Sequence, residues 1–142
     1  MSYASAVGGI PLRYRTINGH CVLAAFCNVC DLDEDFVAEK LKVVFEDSYM
    51  SFKELAPIAE RLGIQLAKQP LLTTLEELVN QEQGLFLVNG GVHTVGVDCA
   101  NRLIYDSGKE TTVPLSVTAL HDCSIPSALE IRKVIMRMKK RK

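Results

Sequence analysis

Asn18-Gly19-His20-Cys21-Val22-Leu23-Ala24-Ala25-Phe26 is the stretch from which the rest of the chain is read. A turn-forming Asn-Gly pair runs into a cysteine, and a run of small apolar residues begins at that point. The run predicts a helix whose first turn carries the Cys21 thiol. Backbone N–H groups without helical partners, together with the positive end of the helix dipole, stabilise a thiolate there, and the thiolate is the nucleophilic form. An inert structural cysteine sits more naturally in the middle of such a helix. Burial without reactivity is nonetheless the plain alternative, since free cysteine behaves as a small hydrophobe.

From Gly19 to Cys30 the apolar density is too high for a surface helix, so this is expected to be the central helix of the domain. Asp31-Leu32-Asp33-Glu34-Asp35 ends it, and Asp33 is placed to cap a second helix through Val43. Ser51 with Glu54, Thr74 with Glu77 and Ser127 with Glu130 each have capping-box spacing. They predict helices to Leu62, to about Asn80 and to about Met138. Pro57 is expected to kink the first of these or shift its start, and Gly63 to stop it. Ile64-Gln65-Leu66-Ala67-Lys68 alternates like a half-buried strand.

Beyond Gly84 the texture is β. Gly84-Leu85-Phe86-Leu87-Val88 reads as a strand, Asn89-Gly90-Gly91 as a hairpin turn, and Val92-His93-Thr94-Val95-Gly96-Val97 as the returning partner. Ala100-Asn101 marks another turn before Arg102-Leu103-Ile104-Tyr105-Asp106, and Thr111–Leu115 is a further candidate strand. Helices first and an antiparallel meander after them describe one α+β domain over 1–142, with its layers segregated. Residues 1–17 read as an extended arm.

Composition narrows the function classes. With 142 residues, 48% hydrophobic and 23% charged, the chain has the make-up of an ordinary globular domain. A formal net charge of −1 gives no general attraction to nucleic acid or membrane, and no apolar run approaches the ~18 residues of a membrane span. Residues 1–9 lack the basic and apolar regions of a signal peptide. Five cysteines is an odd number, which fits reduced thiols and an intracellular, cytoplasmic setting.

A thiol nucleophile needs a base and a group to orient that base. His93 opens one expected strand and Asp106 closes its neighbour, so an antiparallel pairing turned near Asn101 brings both to the same end of the ladder. The candidate catalytic set is therefore Cys21, His93 and Asp106. A core histidine and a turn-forming Asp106-Ser107-Gly108 are the bland readings of the last two. Cys27-Asn28-Val29-Cys30 has metal-ligand spacing but lacks a second pair, so core packing is the expectation and no metal or cofactor is implied. His20 is assigned to the rim and His121 to a structural or solvated role. The Lys139-Lys140-Arg141-Lys142 run reads as a solvated end, with nuclear targeting or an acidic partner as the other option.

The Cys21–Phe26 stretch resembles the start of the catalytic helix in papain-like cysteine peptidases, and is similar to the bacteriocin-leader-processing and Josephin-type deubiquitinase members. In those families a cysteine opens the central helix, a histidine begins a core strand, and an Asp or Asn ends the next. Val92–Val97 and Ile104-Tyr105-Asp106-Ser107 follow that pattern. The resemblance covers about residues 15–115. It implies a papain-like fold, with N-terminal helices packed on a C-terminal antiparallel β-sheet. It also implies a thiol hydrolase for peptide or isopeptide bonds, acting on a peptide or protein substrate, ubiquitin-like proteins included. The families usually place a Gln five or six residues before the cysteine, where this chain has Thr16 and Arg15. Asn18 is the nearby amide that would serve the oxyanion with the Cys21 N–H. Gly19, Gly90 and Gly91 would border the substrate groove, where bare backbone permits close approach. A domain that keeps the fold and binds a peptide or ubiquitin-like partner without cleaving it is the second reading.

Overall fold

Helix α1 (Cys21–Cys30) carries no charged residue, and its described side chains, Val22 and Ala24 through Cys30, are all buried. The computed structural model describes residues 21–32, 51–68, 74–109 and 111–136, with Cys21, Leu23 and Lys68 described by their backbone alone. The expected arm over 1–17, the helix over 33–43, the basic tail, Asn18, Gly19 and His20 lie outside the described residues.

Two of the three capping boxes do what their spacing requires. Ser51 Oγ accepts the Glu54 N–H at 3.1 Å while Glu54 Oε1 accepts the Ser51 N–H at 2.9 Å, opening α2 (Phe52–Arg61). Thr74 and Glu77 exchange the same pair of bonds at 3.1 Å each, opening α3 (Leu75–Val79). Pro57 neither ends α2 nor shifts its start. It sits on the exposed side, where the bond it withholds from the Lys53 carbonyl is left to solvent.

The third box does not open a helix. Residues 130–136 form a strand, β6 (Glu130–Met136), inserted between β1 (Ile64–Lys68) and β2 (Leu85–Asn89). Ile131 and Val134 are three apart, which reads as one face of a helix. In the sheet they point to opposite faces, Ile131 toward α3 and Val134 toward α1 and α2. A strand covered on both sides carries apolar residues at odd spacing, so helical and strand periods are confused there.

The sheet is completed by β3 (Thr94–Asp98), β4 (Leu103–Tyr105) and β5 (Val113–Pro114), in the order β1-β6-β2-β3-β4-β5 with every neighbouring pair antiparallel. The domain is α+β as expected, but the helices are not confined to one side. On one face α1 and α2 pack with Ile64, Leu66, Leu87 and Val134. On the other, Leu75 and Leu78 of α3 and Leu120 of α4 (Val117–Asp122) pack with Phe86, Val88, Val95, Val97 and Ile104. Gly96 seats α1 on β3: a Cβ there would lie 2.9 Å from Val29 Cβ and 3.1 Å from the Ala25 carbonyl oxygen. Among the described residues, no helix is long and apolar enough to cross a membrane.

Candidate functional site

Register brings the two candidate groups together. β3 and β4 pair Gly96 with Tyr105, and continuing that ladder past its open end makes His93 and Asp106 diagonal neighbours. His93 closes the β2–β3 turn, in which Gly90 N–H donates to the His93 carbonyl at 2.9 Å and Gly91 N–H to Asn89 Oδ1 at 2.7 Å. Its ring Nε2 lies 2.6 Å from Asp106 Oδ1, with the imidazole 20% and the carboxylate 5% exposed.

Asp106 is held from two directions. Besides the His93 ring, Gly108 N–H donates to Oδ1 at 2.9 Å. Burial works to raise the Asp106 pKa. The bonds from His93 and Gly108, the positive charge of His93 and the Cys123 thiol outweigh it and hold the carboxyl below its usual range. Asp106 is therefore ionised at neutral pH, as an orienting group for an imidazole must be. The same carboxylate closes the Asp106-Ser107-Gly108 turn and meets the His93 ring.

Helix α1 crosses the sheet over β3, with Ala25 and Val29 against Gly96. Burial, then Asp98 at the far end of β3, then Asp31 just past the C-terminus of α1 raise the Tyr105 pKa. The Cys21 side chain is outside the described residues, as are Asn18, expected to serve the oxyanion, and Gly19, expected to border the groove. The other two groove glycines separate. Gly91 is exposed with φ of 108°, a backbone region that glycine supplies readily. Gly90 is buried, and the space over its Cα is taken by Ile125 rather than left open to a substrate.

The remaining thiols have different surroundings. Cys27 and Cys30 are buried in the core of the α1 face, and burial, then the neighbouring Cys27, pushes the Cys30 pKa up. Burial raises Cys99 to about 11 and Cys123, with Asp106 beside it, to about 12. His121 is structural: its Nδ1 lies 3.0 Å from the Ile125 carbonyl oxygen. The sequence did not place Cys123, because a single cysteine closing a segment not recognised as a helix gives no periodicity. Comparison with protein-family models, with curated proteins and with solved structures returned no match to this chain.

Proposed function

We propose that the chain is a papain-like thiol hydrolase that cleaves peptide or isopeptide bonds with Cys21 as nucleophile, His93 as base and Asp106 as the orienting carboxylate. The observation that carries this reading is the 2.6 Å Nε2–Oδ1 contact between His93 and a buried, ionised Asp106. With Nε2–H committed to Asp106, the ring nitrogen turned away from the carboxylate is Nδ1, and it is the one suited to take the thiol proton.

In that mechanism Nδ1 removes the proton from Cys21 as sulfur attacks the substrate carbonyl. The Cys21 N–H, in the first turn of α1, is one of the orphan donors available to the oxyanion. The imidazolium then gives its proton to the departing amine, leaving a thioester. Water, deprotonated by the same nitrogen, releases the acid and restores the thiol. Asp106 fixes the ring and favours its charged form throughout.

The test is the rate of Cys21 alkylation against pH, with the label located by mass spectrometry. An activated Cys21 reacts well below the free-thiol pKa of ~8.5, and His93→Ala moves its profile up toward that value. A profile centred near ~8.5 in the parent, or one unchanged by His93→Ala, overturns the proposal.

A further inference from the structure

We infer that Val92 and Leu129 form a side-chain-binding surface of the proposed hydrolase, and that its substrate is a peptide with a bulky apolar side chain near the bond to be cleaved. The inference rests on the proposed role of His93 and names the substrate class of that site.

Among the described residues, Val92, Leu129, Ile135 and Met136 are the large apolar side chains left exposed. Ile135 and Met136 end β6, and Leu129 stands just before its other end. Leu129 and Val92, far apart in the chain, come together at the turn that carries His93. The Leu129 N–H donates to the Asn89 carbonyl at 2.8 Å, which fixes the Leu129 backbone beside the turn. Its Cδ1 then lies over Gly91, 3.3 Å from where a Cβ would stand. Val92 follows Gly91 directly and precedes His93. Despite these fixed positions Val92 is 86% and Leu129 68% exposed.

A lone exposed aliphatic residue is ordinary. Two that converge from distant parts of the chain leave a patch of apolar area that a ligand can cover. The place of convergence selects the ligand, because the His93 imidazole is 20% exposed in the same turn. An extended peptide advances ~3.3 Å per residue, so the side chain that reaches Val92 belongs to a residue about one or two from the scissile bond. Gly91, Val92 and Leu129 offer no charged group, so the surface favours apolar area and disfavours a charge that would lose its water. Before Leu129 the chain runs through Ala128, Ser127 and Pro126, which with Leu75 line a cavity of about 200 Å³. That segment gives the rest of the peptide a path away from His93.

The test titrates the full chain with blocked tetrapeptides in which leucine, aspartate or lysine is flanked by alanines. It follows the side-chain methyls of Val92, Leu129, Ile135 and Met136 by NMR. The leucine peptide should shift the Val92 and Leu129 signals, leave those of Ile135 and Met136 in place, and bind at least about fivefold more tightly than the charged peptides. Val92→Gln and Leu129→Gln should each weaken its binding by about fivefold, while Met136→Gln, at the far end of β6, should not change it. Near-ultraviolet dichroism checks that each variant keeps the native fold, and should one of the first two lose it, the other decides. No response to any of the peptides, or equal binding of the leucine and aspartate peptides, overturns the inference. So does a response confined to Ile135 and Met136. Shifts of Val92 and Leu129 that follow protein concentration and not peptide would assign the patch to a second copy of this chain, and overturn it too. Cys21 takes no part in the readout, so an unreactive Cys21 and an absent leucine preference are separate failures.

Discussion

His93 and Asp106 stand thirteen residues apart in the chain and meet with 2.6 Å between Nε2 and Oδ1, because the β3–β4 register returns the backbone to the same end of the sheet. The contact decides which atom of each residue can work. Oδ1 also takes the Gly108 N–H, so the carboxylate cannot swing away without breaking two bonds.

Asp106→Asn should therefore be milder than Asp106→Ala. Asparagine can still present an oxygen to Nε2–H, keeping the ring orientation while losing the charge that favours imidazolium. Alanine removes both. Hydrolysis of a peptide substrate should fall by roughly 10²–10⁴ with alanine, and less with asparagine. Steady-state rates for both variants decide it, and equal losses would mean that charge rather than orientation is the contribution of Asp106.

Asp106 also makes stability depend on acid pH. Its native pKa is depressed, so between that value and the unfolded value of ~3.9 the unfolded chain binds more protons. Stability from this group is complete above ~4 and is lost as pH falls through the native pKa. Chemical denaturation at a series of pH values from about 6 to about 3 should show an acid-side decline that is shallower in Asp106→Asn. A decline of the same steepness in the variant would assign it to other carboxylates.

The turn after α4 carries a removable strain. Ser124 holds φ of 69° at the position where a Schellman motif favours glycine, and its side chain is exposed. Ser124→Gly should stabilise the fold by about 0.5–1 kcal/mol, by relieving the contact of Cβ with the backbone. The check is a rise in the denaturation midpoint with unchanged slope. A fall would mean that the glycine's added freedom in the unfolded chain outweighs the relief.

Much of this architecture was legible where local chemistry and burial agree. The Ser51 and Thr74 boxes, the Ile64–Lys68 strand and the Asn89-Gly90-Gly91 turn are stated by residues within a few positions of one another, and each formed. The approach of His93 to Asp106 followed from strand order and turn placement. β6 was not legible as a strand, because its apolar spacing serves two faces and Ser127 with Glu130 mimics a cap. The placement of helices on both faces depends in part on α4, a six-residue helix too short to show a period.

Gly96 offers the sharpest test of the link between packing and chemistry. Val29 Cβ and the Ala25 carbonyl lie so near its Cα that a methyl group there must push α1 off β3, and one of the two obstacles is backbone. Gly96→Ala should cost about 1–3 kcal/mol by overpacking and should displace the helix whose first residue is Cys21. Gly63→Ala is the control. Gly63 has φ of 81° with nothing near its missing Cβ, so alanine there is strained by about 1–2 kcal/mol without pressing on α1. Compared at conditions where both variants are fully folded, Gly96→Ala should slow Cys21 alkylation at neutral pH and Gly63→Ala should leave it at the parent rate. If both slow it equally, reactivity follows global stability, and the seat of α1 on Gly96 does not set the reactivity of Cys21.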